Sequence, residues 1–166
     1  YVGIDFSENA ISYAKQRLVD FKIGGTSKIQ LGDICSLDFP NNSFDGAVSL
    51  DVISFIPDPQ AAIKEAARIL HSKAFFIFTT WEYKKSRVLS DFHPILQNDG
   101  FEIHLYNETS DWKERQRKVY EKILELKKVL IKDMGRDGAF SFIMEAKTYL
   151  PMLDDLRRII VIAMKI

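Results

Sequence analysis

The sequence predicts an α/β fold in which a mostly parallel sheet carries helices on both faces, a doubly wound arrangement. Short apolar runs alternate with amphipathic stretches of helical length through the first half of the chain. The run at residues 74–80 is apolar nearly throughout, which is typical of a strand buried on both faces of a parallel sheet. In such folds the crossovers are right-handed and ligands bind at the carboxyl ends of the strands.

The first predicted strand is Val2–Asp5, and Ser7 is a residue of the type that caps a helix. The helix that follows ends at Gly24-Gly25 in this prediction. Its buried stripe is predicted from four residues at helical spacing: Ile11, Ala14, Leu18 and Phe21. Lys28–Leu31 and Phe44–Leu50 are the next two predicted strands.

A second helix is predicted to begin at Asp58-Pro59, which combines a capping acid with proline at the first helical position. Its core-facing residues are predicted to be Ala62, Ile63, Ala66, Ile69 and Leu70. The apolar run at residues 74–80 then forms the fourth predicted strand.

The second half of the chain predicts a helix at 90–97, a strand at 101–106, and a long amphipathic helix at 111–134. The apolar stripe of the long helix comprises Trp112, Val119, Tyr120, Ile123, Leu126, Val129 and Leu130. Gly135 and Gly138 are expected to break it, before a helix at 139–149 and an antiparallel final strand at 156–166. We therefore expect a single domain at residues 1–166 with a helical insertion at 108–150. We interpret the stripe as a lid or core packing in preference to a homodimer face.

The composition disfavours several classes of partner. Lys+Arg and Asp+Glu are equal at 23 each, whereas nucleic-acid-binding domains carry a basic excess. The apolar runs are too short to span a bilayer, and the acidic residues near Tyr1 do not suit a signal peptide. The chain has one cysteine, Cys35, which fits a reducing cytoplasm. We expect a cytoplasmic protein that binds neither nucleic acid nor membrane. Because there is no cysteine pair and no histidine pair four residues apart, we expect no metal site.

Three segments together resemble the class I S-adenosylmethionine-dependent methyltransferases, especially their small-molecule branch. The segments are residues 1–7 (YVGIDFS), 30–40 (QLGDICSLDFP), and 43–50 (SFDGAVSL) followed by 56–59 (IPDP). Each segment alone is a weak signal, but their order and spacing are fairly specific. The resemblance covers residues 1 to about 83 and implies a Rossmann-like fold and S-adenosyl-L-methionine as cofactor.

The resemblance also implies five cofactor-binding positions. Asp5 would accept hydrogen bonds from the ribose hydroxyls, and Phe6 would lie along the adenine. Asp33 would accept from the adenine amine, and the backbone N–H of Ile34 would donate to a ring nitrogen. Leu50 would border the methionine part. The residue types suit these roles, because an ionised carboxylate only accepts hydrogen bonds and, with a backbone N–H, matches one edge of adenine.

Two parts of the family's pattern do not occur in this sequence. One is the Gly-x-Gly-x-Gly-type turn that follows the family's first strand, and the other is a glycine turn before its fifth strand, where residues 70–74 read LHSKA. We expect that this sequence omits residues of a longer protein, including the strand at the centre of the sheet.

The acceptor pocket is expected at the carboxyl edge of the sheet. Asp51, Trp81 and Tyr83 follow or end predicted strands there, and His93 is the candidate from the region after them. A structural role is an equal alternative for Asp51, Trp81 and Tyr83, and for any single histidine it is the favoured one. No catalytic residue is assigned, because methyl transfer needs mainly in-line positioning and exclusion of water.

The function predicted from the sequence is S-adenosylmethionine-dependent methyl transfer to a small-molecule acceptor by in-line displacement. One alternative is an NAD(P)-dependent Rossmann oxidoreductase, which would also use Asp5 and the Asp33-Ile34 pair. The chain lacks the Tyr-x-x-x-Lys pair of the short-chain dehydrogenases. Another alternative is a non-catalytic nucleoside-binding module on the same fold.

Overall fold

The computed structural model describes residues 1–84 and 91–166 of the chain. The strands in this part are β1 Val2–Asp5, β2 Lys28–Leu31, β3 Phe44–Leu50, β4 Leu70–Tyr83, β5 Phe101–Glu108 and β6 Leu156–Lys165. The helices are α1 Glu8–Asp20, α2 Pro59–Ile69, α3 His93–Asn98, α4 Trp112–Glu125 and α5 Lys127–Tyr149. Short 3-10 turns occur at Gly24–Thr26, Ile53–Phe55 and Leu150–Asp155.

The strands form a parallel pair, β1–β2, and a four-stranded sheet in the order β3-β4-β6-β5. In the larger sheet β3 and β4 are parallel, and β6 runs antiparallel to both of its neighbours. This confirms the predicted α/β fold with mostly parallel strands and an antiparallel C-terminal strand. The main core lies against the larger sheet and includes the buried rings of Phe76, Phe78, Phe92 and Phe101.

No ladder joins the two sheets within residues 1–84 and 91–166. In this part of the chain β1 pairs only with β2, and β3 pairs only with β4. Apolar side chains near the open edge of β3 are correspondingly exposed; Leu50, for example, is 63% exposed. The open edges of β1 and β3 therefore have no strand partner among residues 1–84 and 91–166.

Local capping signals start the first two helices as predicted. The Ser7 hydroxyl accepts from the N–H of Ala10, and the Asp58 carboxylate accepts from the N–H of Ala61. The five predicted core residues at and just after α2 are all buried. The α1 prediction was wrong in two details: the helix ends at Asp20, before the paired glycines, and Phe21 is 64% exposed.

The connection from α2 to β4 is tighter than predicted, because β4 begins at Leu70, directly after the helix. The ladder with β3 shifts between Phe44 and Gly46, which accommodates the extra residues of β4. Lys73 lies in this shift with a φ of 69°, the left-handed region that favours glycine. A lysine therefore occupies the kind of turn position for which the family's pattern uses glycine.

The predicted long helix is two helices, since the chain leaves helical geometry at Leu126 between α4 and α5. Trp112 and Tyr120 are buried in a second apolar cluster, but Val119 and Val129 of the predicted stripe are exposed. Gly135 interrupts α5 with φ 76° and ψ 169°, as predicted, whereas Gly138 is helical. The second cluster includes Trp81, Tyr83 and Leu156, so the insertion packs on the carboxyl end of β4.

Candidate functional site

The nucleoside-binding candidates lie together at the carboxyl ends of β1 and β2. The parallel register pairs Asp5 with Leu31, and the N–H of Gly32 donates to the carbonyl oxygen of Asp5 at 3.0 Å. Asp33 follows at once, so the two predicted carboxylates come from neighbouring strands at one edge. This is the edge at which parallel α/β sheets bind ligands.

Asp5 is exposed and only partly engaged. One carboxylate oxygen accepts from the N–H of Ser7 at 2.8 Å, a local bond that shapes the entry to α1. Its second oxygen receives no hydrogen bond from the described residues. The next side chain, Phe6, is 85% exposed and therefore free to contact a ligand.

Asp33 and Ile34 present an acceptor beside an unpaired donor. The Asp33 carboxylate accepts from the N–H of Cys35 at 2.9 Å, and its carbonyl accepts from the N–H of Ser36 at 3.0 Å. The N–H of Ile34 has no hydrogen-bond partner in the described part of the chain, while its side chain packs against the main core. This donor and this acceptor suit one edge of an adenine ring.

Cys35 has the properties of a packed side chain. Its Sγ lies 3.7 Å from the carbonyl oxygen of Asp58. Burial, and then the charges of Asp33 and Asp58, raise the pKa of the thiol above its usual value. A raised pKa disfavours the reactive thiolate, which indicates that Cys35 is a structural residue.

A polar clamp from α2 holds the loop that follows β2. Arg68 donates to the carbonyl oxygens of Leu37 at 2.7 Å and Phe39 at 2.6 Å. Glu65 accepts from the N–H of Leu37 at 2.8 Å and pairs with Arg68 at 2.8 Å. The hydrogen bonds from Arg68 lower the pKa of Glu65, so this carboxylate stays ionised. The clamp thereby holds the loop that carries Asp33 and Ile34 against α2.

A second part of the site is a cavity of about 610 Å³ bounded by the carboxyl ends of β3 and β4 and by the helical insertion. Asp51, Trp81 and Tyr83 of the predicted pocket line this cavity, and Tyr120, Glu145 and Tyr149 line it from α4 and α5. The remaining lining residues are Ser54, Phe55, Ile56, Pro57, Pro59, Phe92, Gln116 and Leu156.

Asp51 is held by backbone geometry and by an arginine. It has a φ of 54°, and its N–H donates to the hydroxyl oxygen of Thr79 at 2.9 Å. Arg158 on β6 contacts both carboxylate oxygens, with Nε 3.0 Å from Oδ1 and Nη2 2.6 Å from Oδ2. This two-point pairing fixes the plane of the carboxylate and compensates its charge.

Aromatic side chains dominate the rest of the cavity wall. Trp81 and Trp112 pack edge-to-face, with ring centroids 5.0 Å apart. The buried Tyr120 hydroxyl donates to Glu145 at 2.9 Å. Burial and that hydrogen bond raise the pKa of Tyr120 far above its usual value, so the phenol remains a donor.

A buried ionic network lies beside the cavity. The Glu82 side chain is fully buried on β4, where it accepts from the hydroxyl of Tyr106 and lies 2.7 Å from Nη2 of Arg157. Burial raises the pKa of Glu82 despite these partners. The Tyr106 oxygen also accepts from the N–H of Phe92 at 2.9 Å, which anchors a cavity-lining residue.

The structure places His93 outside the lining of this cavity. Its ring stacks on Tyr106 with centroids 4.0 Å apart, and Nδ1 lies 2.5 Å from a carboxylate oxygen of Asp91. Leu50, at the end of β3, is on the exposed edge of the sheet.

The sequence did not predict the buried ionic network beside the cavity, nor which side chains of the helical insertion line the cavity. The network residues are Glu82, Tyr106 and Arg157, and the insertion residues are Tyr120, Glu145 and Tyr149. The visible signal was an acidic residue, Glu82, just after the apolar run at residues 74–80, since a buried charge needs a partner.

Residues 1–84 and 91–166 contain no helix long and apolar enough to cross a membrane. The same residues contain no group of three or more histidine, cysteine or acidic side chains arranged to hold a metal ion.

Residues 1–78 match the family model described as a methyltransferase domain. A phosphatidylethanolamine N-methyltransferase from Cereibacter sphaeroides is 30% identical over 67 residues, which are 40% of this chain and 33% of the relative. The ubiquinone/menaquinone biosynthesis C-methyltransferase UbiE of Rickettsia bellii is 32% identical over 89 residues, 54% of this chain and 36% of the relative. The matched region is thus about a third of the length of these curated relatives.

Solved structures show the same fold over nearly the whole chain. The [4+2]-cyclase SpnF covers 99% of this chain with a TM-score of 0.85 and 19% identity, and 66% of its own chain is matched. Phosphoethanolamine N-methyltransferase 2 of Haemonchus contortus, solved with phosphomonomethylethanolamine and S-adenosylhomocysteine, covers 99% with a TM-score of 0.81 and 20% identity. In this second case 43% of the solved chain is matched.

Proposed function

We infer the activity of this chain from the family to which it belongs, the class I S-adenosylmethionine-dependent methyltransferases. We propose that the protein transfers a methyl group from S-adenosylmethionine, the cofactor of that family, to a small-molecule acceptor. The observation that carries this proposal is the presence of two half-sites at the carboxyl edge of the strands. One has nucleoside-type donors and acceptors, and the other is a cavity lined partly by aromatic side chains.

The residues of the first half-site fit the adenosine part of the cofactor. The open oxygen of Asp5 suits a ribose hydroxyl, because a carboxylate accepts without needing a proton. Asp33 and the unpaired N–H of Ile34 suit the adenine edge, and the exposed Phe6 ring offers an apolar surface beside it. An unpaired backbone donor next to a carboxylate is a feature that a nucleoside would satisfy.

The cavity would supply acceptor binding and exclusion of water. S-adenosylmethionine, when bound, supplies an electrophilic methyl group, and its transfer leaves the C–S electron pair on the sulfur of S-adenosylhomocysteine. Trp81, Tyr83 and Tyr120 would orient the acceptor and shield the reacting atoms from solvent. Asp51 would have a positioning role, because its charge is already compensated by Arg158.

Calorimetric titration with S-adenosylhomocysteine, S-adenosylmethionine and NAD tests the proposal. We expect binding of the first two and none of NAD. Asp5→Asn should weaken S-adenosylhomocysteine binding about tenfold, the effect of losing one charge-assisted hydrogen bond. Asp20→Asn, at the far end of α1, is the matched control and should leave binding unchanged. Binding of NAD alone would instead support an oxidoreductase, and no binding to any of the three would support neither enzyme.

A second candidate function is a ring-forming reaction without methyl transfer. It is suggested only by the fold similarity to the [4+2]-cyclase SpnF, a protein that combines this fold with a different chemistry. The two proposals differ in one product. Conversion of an acceptor with equimolar formation of S-adenosylhomocysteine supports methyl transfer, whereas conversion without S-adenosylhomocysteine supports the second candidate.

A further inference from the structure

We propose that the cavity selects an acceptor that carries an organic cation, with an ammonium group held against aromatic rings beside the carboxylate of Glu145. The inference rests on the proposed function, because it names the chemical class of acceptor for that same cavity.

The first observation is the aromatic content of the wall. Six of the fourteen lining residues are aromatic: Phe55, Trp81, Tyr83, Phe92, Tyr120 and Tyr149. The face of an aromatic ring is electron-rich and attracts a cation that lies against it, and Trp and Tyr do so most strongly. The rings come from both the sheet edge and the insertion, so a ligand in the cavity meets them from two sides.

The second observation is the charge of the wall. Among the described residues the lining contains two carboxylates and no lysine, arginine or histidine. Asp51 is paired with Arg158 through both oxygens, so its charge is compensated. Glu145 accepts from the Tyr120 hydroxyl, which is neutral and stays protonated. Within the described lining, Glu145 is therefore a negative charge next to the rings that no cation compensates.

This combination distinguishes between classes of acceptor. A phosphate or carboxylate in the cavity would lose its hydration and meet Glu145 without a cation from the described lining, which is unfavourable. A neutral molecule would gain only from apolar burial. An ammonium group would gain from burial, from the ring faces and from Glu145 together.

The probe for this inference is a pair of ligands of the same shape, choline and its neutral isostere 3,3-dimethylbutan-1-ol. Both are titrated against the whole chain without cofactor, by calorimetry and by tryptophan fluorescence. The chain has two tryptophans, and Trp81 and Trp112 pack against each other at the cavity. We expect choline to bind about fivefold to tenfold more tightly than the isostere.

Two substitutions test whether Glu145 causes the difference in affinity between choline and the isostere. Glu145→Gln should weaken choline binding about fivefold and leave the isostere unchanged, because only the cation interacts with the lost charge. Glu121→Gln is the matched control, since Glu121 is an exposed α4 residue outside the cavity lining. Equal affinities for choline and the isostere would overturn the inference, as would failure of choline to bind or an unchanged choline affinity in Glu145→Gln.

The outcome is separable from that of the proposed function, because neither probe requires S-adenosylmethionine. Discrimination in favour of choline with no S-adenosylhomocysteine binding would refute the proposed methyl transfer and leave the cation selectivity of the cavity standing. S-adenosylhomocysteine binding without discrimination would overturn the cation inference alone.

Discussion

Removal of the Tyr106 hydroxyl should destabilise the protein in a manner that depends on pH. This hydroxyl makes two hydrogen bonds at the edge of the cavity: it donates to the buried carboxylate of Glu82 and accepts from the N–H of Phe92. Tyr106→Phe keeps the ring and its stacking on His93 but leaves Arg157 as the remaining partner of Glu82 among the described residues. The substitution therefore isolates the two polar contacts.

The expected magnitude follows from these two contacts. A hydrogen bond to an ionised carboxylate contributes about 2 kcal/mol, and an unpaired backbone N–H costs about 1 kcal/mol, so the free energy of unfolding should fall by about 3 kcal/mol. When Glu82 is protonated, the first contact is between neutral groups and contributes only about 1 kcal/mol. The total loss is then about 2 kcal/mol.

The sign of the pH dependence comes from the raised pKa of Glu82. A carboxyl whose pKa is higher in the folded state loses stability as the pH rises from its unfolded pKa through the folded one. The Tyr106 hydrogen bond lowers the pKa of Glu82, so its removal raises that pKa further and enlarges this loss. The gap in stability between wild type and Tyr106→Phe should therefore widen as the pH increases.

Urea denaturation at several values between about pH 4 and pH 9 measures this gap. Tyr13→Phe is the matched control, because Tyr13 is exposed on α1 and should change stability negligibly at any pH. A gap that stays constant across the range, or one below about 1 kcal/mol throughout, would refute the role assigned to the network.

Further predictions concern strained or paired residues. Lys73→Gly should raise the free energy of unfolding by about 0.5 kcal/mol, because relief of the left-handed lysine outweighs the added flexibility of the unfolded chain. Gly135→Ala should lower it by about 2 kcal/mol, since φ 76° and ψ 169° are accessible almost only to glycine. Gly138→Ala should stay within about 0.5 kcal/mol, because a gain in helix propensity offsets a new contact 3.3 Å from Met134. A double-mutant cycle of Asp51→Ala and Arg158→Ala should give a coupling of about 1 kcal/mol, reduced by the partial exposure of both side chains.

Chemical denaturation monitored by circular dichroism measures all of these values. A loss of stability in Lys73→Gly, or equal effects at Gly135 and Gly138, would contradict the backbone geometry assigned to those positions. Additive effects of the single substitutions at Asp51 and Arg158 would show that their pairing contributes nothing.

The parts of the fold that depend on local signals could be predicted from the sequence. The bounds of β1, β2 and β3 were confirmed, and the caps at Ser7 and Asp58 start their helices. The exposure of Phe21 was not predictable, because helical spacing shows that a face is apolar but not whether anything covers it. The break at Leu126 has no glycine or proline to signal it.

The candidate site likewise has some residues that the sequence could place and others that it could not. Asp51, Trp81 and Tyr83 could be placed at one edge because the carboxyl ends of parallel strands meet there. Glu145 and Tyr149 join them only through the docking of the insertion, which is a contact between distant parts of the chain. The pairing of Arg158 with Asp51 depends on the antiparallel register, which sets Arg158 opposite Trp81.

The open edges of β1 and β3 have a consequence for how ligands stabilise this chain. Because no ladder joins them among residues 1–84 and 91–166, side-chain contacts such as the Glu65–Arg68 clamp link the β1–β2 pair to the larger sheet, so the two can open as separate cooperative units. A ligand that reaches from Asp5 to the cavity would bind both the β1–β2 pair and the larger sheet and so hold the two together. Adenosine should then slow amide hydrogen exchange in β1 and β2 only, whereas S-adenosylhomocysteine should also protect the carboxyl ends of β3 and β4.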